Sequence, residues 1–213
     1  MEISGARVLV VGATGVLGGL AARALAELGG EVALAGRNPV RLTALARDLG
    51  GVPARCFEAS DLDQCSALGP WAERMLLRLD GVLVTVGATG FGAVEDVSND
   101  VAGHLLTVNA LCPMAVLRGA APVVADKGFL LAATGGARAP RSRTEPPVPE
   151  PGTADYTASK AALSSWLRVL AEELAPRAVA VHDIGFPHPD EPLAPPADAL
   201  EAVRSLVERI ATA

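Results

Sequence analysis

The chain has 213 residues, and its 18 Lys and Arg against 24 Asp and Glu leave a formal charge of −6. That length suits one domain, residues 1–213, and a chain half apolar and one fifth charged can bury a core rather than stay disordered. The acidic balance offers no basic stripe to neutralise phosphates, which excludes a general nucleic-acid binder.

The first uncharged run lies between Arg7 and Arg23. It is too short for a membrane span and is broken by Gly12, Gly15, Gly18 and Gly19, so it reads as strand, turn and helix rather than an export signal. Cys56, Cys65 and Cys112 are odd in number and form no CxxC pair, which argues against a disulfide scaffold and a thiolate zinc site. A reducing cytoplasm is the expected setting.

Arg7–Val11 is predicted as a strand buried on both faces. Leu20, Ala21, Ala24, Leu25 and Leu28 then recur at helical spacing, and Gly29-Gly30 stop that helix. Val32–Ala35 is a second strand, followed by a helix with Pro39 just inside it and Val40, Leu42, Leu45 and Leu49 facing inward. A third strand includes Ala54–Phe57, and the stretch from Asp63 to Leu79 is largely helical. Val82–Val86 is the fourth strand, a helix spans about His104 to Ala121, and Gly128–Ala133 is the fifth strand. A further helix runs from near Thr153 to just before Pro176, and Ala178–Val181 is the sixth strand. Such alternation predicts an α/β, three-layer, Rossmann-like fold: a doubly wound parallel sheet of about six strands with helices on both faces. Two Pro-rich stretches, 140–151 and 187–196, follow strand ends where ligands bind in such sheets, so each is either a substrate cover or a plain connector.

Gly12, Gly15 and Gly18 fall between the first strand and first helix. Glycine lets backbone approach a pyrophosphate, and the helix N-terminus supplies N–H donors, so the turn is a dinucleotide-binding candidate, with Thr14, Val16 and Leu17 among its glycines. At the end of the second strand an NAD site usually has an acid for the ribose 2′-hydroxyl. Gly36, Arg37 and Asn38 stand there instead. No carboxylate repels a 2′-phosphate, Arg37 can grip one, and Arg7 adds positive charge, which favours NADP(H) over NAD(H).

The sole Tyr, Tyr156, lies four residues before Lys160, one of only two Lys. On a helix both share a face. A nearby ammonium stabilises phenolate and is expected to lower the Tyr156 pKa toward working pH.

With these motifs the chain resembles the short-chain dehydrogenase/reductase family from about Arg7 to Pro187, as an atypically short member. The resemblance rests on Gly12-x-x-Gly15-x-x-Gly18, on Val108-Asn109-Ala110 and, most closely, on the segment Asp155 to Leu163. It implies that Asp61 and Leu62 hold the adenine ring and that the backbone of Gly87 and Ala88 lines the cofactor. It also implies that Tyr156 donates a proton to a substrate carbonyl, that Lys160 binds the nicotinamide ribose, and that Asn109 orders a water relay behind Lys160. Two departures stand out. Thr85-Val86-Gly87-Ala88 replaces the family's Asn-Asn-Ala-Gly, and the orienting Ser of the fifth strand falls on Gly135 or Thr134, with Ser142 a distant reserve.

Where the family places Pro-Gly, the chain has Gly185-Phe186-Pro187-His188. Residues 197–210 read as a helix, with no sequence left for the family's last strand. His182, Asp183, His188 and Asp190 match no metal-ligand spacing, so no metal is expected, and His188 is a candidate substrate contact. The expected function is NADPH-dependent reduction of a small-molecule carbonyl, or oxidation of an alcohol. The alternatives are a cofactor-binding homologue with little turnover, serving as sensor or auxiliary subunit, and a cyclase or isomerase using the same Tyr156. No nucleic-acid or membrane partner is expected. In the resembled family the helices of Asn109 and Tyr156 pair across a twofold axis. Apolar Ala110, Leu111, Ala115, Val116, Ala161, Leu163, Leu167 and Leu170 on these helices therefore predict a homodimer.

Overall fold

The computed structural model describes residues 3–134 and 150–184. Six parallel strands form one sheet in the order β3-β2-β1-β4-β5-β6. They are β1 (Arg7–Val11), β2 (Glu31–Gly36), β3 (Ala54–Cys56), β4 (Leu79–Val84), β5 (Val124–Ala133) and β6 (Ala180–Ile184). The connecting helices are α1 (Val16–Glu27), α2 (Pro39–Asp48), α3 (Leu62–Ser66), α4 (Leu68–Leu76), α5 (Asn99–Leu106), α6 (Cys112–Ala120) and α7 (Ala154–Leu174). The expected Rossmann-like, doubly wound sheet is present. The chain leaves β1 toward β2 on one side and returns to β4 on the other, so the strand order reverses at the C-terminal ends of β1 and β4. That reversal opens the crevice where such sheets hold ligands.

Alternation along the strands divides the core. Leu9, Val11, Val82, Val84, Leu130 and Ala132 face α3, α4, α6 and α7. Val8, Val10, Val32, Leu34, Leu83 and Leu131 face α1 and α2. Burial on both faces explains why Val8–Val11 of β1, Val32–Ala35 of β2, Val82–Val84 of β4 and Phe129–Ala133 of β5 read as unbroken apolar runs.

Several expectations are corrected. Val40 is 78% exposed, because α2 buries Leu42, Leu45 and Ala46, and position 40 lies on the opposite side of the helix from 42. Leu28 is exposed where it caps α1. Leu79 opens β4 instead of ending a helix, since left-handed Leu77 terminates α4. β6 starts at Ala180, not Ala178, because a 3-10 turn over Ala175–Arg177 leaves Ala178 left-handed. Arg7 sits at the N-terminal end of β1, beside Glu31 at 3.4 Å and away from the crevice, so it cannot help select a cofactor.

The helix expected from His104 begins at Asn99, capped by Ser98, and carries one π turn over Thr107–Leu111. This run of 99–120 is long and apolar enough to cross a membrane, and half of its most apolar window is buried. Ala110, Ala115, Val116, Leu163, Leu167 and Leu170, expected to build an interface, lie in the chain's own interior instead. The sheet face they cover consumes them. Leu106, Leu111 and Val169 stay exposed. The Pro-rich stretches between 140 and 149 and between 187 and 196, together with Gly135, Ser142, His188, Asp190 and the helix expected over 197–210, lie outside the described residues.

Candidate active site

The turn after β1 is built by steric need. Gly12 has φ +90°, and a Cβ there would stand 2.7 Å from Thr85 Oγ1. A Cβ on Gly18 would lie 2.3 Å from the Gly12 carbonyl oxygen, so α1 packs against the turn backbone to backbone. Gly15 is exposed and caps α1 without any side-chain hydrogen bond. Val16, Leu17 and Gly18 therefore open a helix whose first N–H groups are available to an anion, with no acid in the first turn to repel it. A bare, positively polarised cradle of this kind fits a pyrophosphate.

At the end of β2, Gly36 is buried beneath Thr14; a Cβ on it would meet Thr14 Cγ2 at 2.8 Å. An acid at this position would require Thr14 to move. Arg37 and Asn38 follow on the surface, and Asn38 Oδ1 is engaged in capping α2 through Arg41 N at 3.0 Å. Asp61 also serves as a cap: its carboxylate accepts from Gln64 N at 2.9 Å and Gln64 Nε2 at 2.8 Å, with Leu62 the half-exposed first residue of α3. Thr85, where the resembled family has Asn, donates its hydroxyl to the Val11 carbonyl at 3.0 Å and ties β4 to β1.

Beyond β4 the structure gathers Gly87, Ala88, Asn109, Tyr156 and Lys160. Asn109 is fully buried in the π turn, a distortion common at functional sites. Its Oδ1 accepts from Ala88 N at 2.8 Å, and its Nδ2 donates to Ala88 O at 2.9 Å and to Ser159 Oγ at 3.0 Å. Ser159 in turn donates to the Tyr156 carbonyl at 2.7 Å. The Asn109 side chain thus clamps backbone and α7. A Cβ built on Gly87 would lie 3.2 Å from Lys160 Nζ and 3.4 Å from Asn109 Oδ1, so the chain passes this close to the ammonium.

Tyr156 and Lys160 are both buried on α7, with Lys160 Nζ 5.8 Å from the Tyr156 ring centroid and 3.4 Å from the Ala133 carbonyl to which it donates. Burial pulls the Lys160 ammonium down to about 8, while the Asp183 carboxylate works in the opposite direction. Burial raises the Tyr156 phenol above its ordinary value near 10. This is opposite to the expected lowering, because burial disfavours the charged phenolate. Phe91 packs edge-on against Tyr156, centroids 5.5 Å apart, in a loop tied to the α7 approach by Gly92 N donating to Gly152 O at 2.9 Å.

Thr134 lies just past β5, its N–H donating to Ile184 O at 3.0 Å and its hydroxyl donating to Asp183 Oδ1. Ser164 donates to the other oxygen, Oδ2. Sequence reasoning missed the roles of Ser159, Ser164 and Phe91. Ser164 continues the i,i+4 spacing of Tyr156 and Lys160, which was a usable signal; Phe91 had none. Among the described residues no three His, Cys, Asp or Glu gather as a metal group.

A family described as short chain dehydrogenase matches residues 6–188. Nodulation protein G of Rhizobium meliloti (strain 1021) is 30% identical over 185 residues, covering 85% of this chain and 72% of that protein. The 3-oxoacyl-(acyl-carrier-protein) reductase FabG of Rickettsia bellii is 27% identical over 193 residues, covering 86% and 73%. The fold matches a short chain dehydrogenase from Burkholderia cenocepacia solved in complex with NADP, with a TM-score of 0.82 at 22% identity over 99% of this chain and 92% of that one. With the parallel sheet, the glycine cradle and a family match over most of its length, the chain belongs to the short-chain dehydrogenase/reductase family of oxidoreductases.

Proposed function

We propose that the chain reduces a small-molecule carbonyl with NADPH, or oxidises the corresponding alcohol, using Tyr156, Lys160 and Asn109. The observation that carries this reading is the buried Tyr156 and Lys160, one helical turn apart, beside Gly87 at the open end of the sheet. Gly12, Thr14, Gly15, Val16, Leu17 and Gly18 would hold the pyrophosphate, and Lys160 the nicotinamide ribose. When bound, the nicotinamide supplies or accepts hydride. Tyr156, a phenol whose burial disfavours the phenolate further, delivers its proton to the carbonyl oxygen. Asn109 fixes Ala88 and, through Ser159, the start of α7, so that Gly87 and Tyr156 keep their places.

NADP(H) is favoured over NAD(H) because Gly36, packed under Thr14, supplies no ribose-binding acid, and exposed Arg37 stands beside it. The Burkholderia protein with bound NADP, and BdcA solved with NADPH at a TM-score of 0.81 and 21% identity, support a nicotinamide cofactor. A reducing cytoplasm suits the three free thiols. A second reading, cofactor binding with little turnover, is favoured by one observation: the Thr134 hydroxyl is committed to Asp183.

The test is NADPH oxidation over a panel of aldehydes and ketones, alongside a binding titration of NADPH. Turnover abolished by Tyr156→Phe supports the first reading. Tight NADPH binding with no turnover on any carbonyl overturns it in favour of the second.

A further inference from the structure

Asp183 lies at the end of β6, in register with Ala132 of β5. One carboxylate oxygen accepts from Thr134, at the tip of β5, and the other from Ser164, the next residue after Lys160 in the i,i+4 stripe of α7. The carboxylate therefore bridges two strands and the helix that carries Tyr156 and Lys160.

A threonine hydroxyl has one hydrogen and two lone pairs. Once its hydrogen is given to a carboxylate it can only accept, and a carbonyl oxygen, itself an acceptor, gains nothing from it. We infer that Asp183 is a positioning residue that withholds the Thr134 hydroxyl hydrogen from substrate, leaving Tyr156 as the side-chain proton donor to the carbonyl oxygen among the described residues. Thr134 can then offer substrate only an acceptor, suited to a substrate that brings its own hydroxyl hydrogen, such as an alcohol or a hydroxy ketone. Asp183 also opposes the desolvation of Lys160, in keeping with a carboxylate held toward the site rather than away from it. This inference rests on the proposed carbonyl chemistry.

The test is a pair of double-variant cycles on the full chain. Thr134→Val and Asp183→Ala are made singly and together, with Thr134→Ser as the conservative variant. In urea unfolding, the double variant is expected to share its midpoint with the weaker single variant, because the bond can be lost only once. Additive midpoints overturn the hold itself, and this arm needs no substrate. In kcat/KM for a carbonyl, Thr134→Val is expected to cost less than about threefold in the wild type and about tenfold once Asp183→Ala has released the hydroxyl. Thr134→Ser should match Thr134 in both backgrounds. An equal cost of Thr134→Val in both backgrounds, whether large or nil, overturns the withholding role. Absence of turnover on every carbonyl counts against the proposed function, and the urea cycle still decides whether Asp183 holds Thr134.

Discussion

Asn109 holds both backbone groups of Ala88: the amide oxygen takes the Ala88 N–H at 2.8 Å and the amide nitrogen donates to the Ala88 carbonyl at 2.9 Å. The side chain imitates a neighbouring strand where β4 has already ended, and its remaining hydrogen goes to Ser159 on α7. Asn109→Ala should leave three polar groups without this partner in a partly buried setting. We expect a loss of at least about 1–3 kcal/mol in urea unfolding, the cost of stranding even one such group. A stability unchanged within 0.5 kcal/mol, the scatter of neutral surface substitutions, would contradict the clamp.

Tyr156→Phe keeps the ring that packs against Phe91 and removes only the hydroxyl. Turnover on a confirmed carbonyl substrate should fall by about 10²-fold or more, as loss of a general acid does. NADPH affinity, read by fluorescence titration, should hold. Wild-type turnover in the variant would show that another group supplies the proton.

The exposed guanidinium of Arg37 next to buried Gly36 predicts tighter binding of NADPH than NADH. Arg37→Ala should weaken NADPH by about 1.5–3 kcal/mol, the worth of a charged hydrogen bond, and leave NADH nearly unchanged. Equal wild-type affinity for the two cofactors refutes the assignment.

Lys160, with its ammonium pulled down to about 8, is charged at pH 7 and loses its proton as pH rises past that value. Reduction should therefore decline above about pH 8, when the cation near Tyr156 and Gly87 disappears. The folding consequence has the opposite sense. Between about 8 and the ordinary lysine value of 10.5 the unfolded chain binds more protons than the folded one, so this group makes folding more favourable as pH increases across that window. Lys160→Met should remove both effects. A pH profile of kcat/KM that stays flat through pH 8–10 argues against the assigned role.

Leu106, Leu111 and Val169 remain exposed on the two helices that carry the candidate pair and its clamp. We expect a homodimer that covers these residues, with isologous symmetry. Light scattering at micromolar concentration should give a dimer mass, and Leu111→Asp should shift it toward monomer. A monomeric wild type would refute it.

The sequence determined the alternation of strands and helices, because strands buried on both faces must be continuously apolar and the helices between them must repeat at helical spacing. It also determined the glycine turn and the Tyr156 and Lys160 pair, since both depend on local spacing along a single turn or helix. Tertiary structure decided what those groups meet. The Thr14 packing over Gly36, the Asn109 clamp on Ala88 and the bridge from Asp183 to Thr134 and Ser164 join residues from separate elements. The direction of the Tyr156 shift was likewise decided there. An i,i+4 ammonium promises a stabilised phenolate, but desolvation depends on everything packed around the ring, and burial prevails. The apolar faces of α6 and α7 followed the same logic: spacing reveals that a face is apolar, while only the packed sheet shows whether the chain's own core has already covered it.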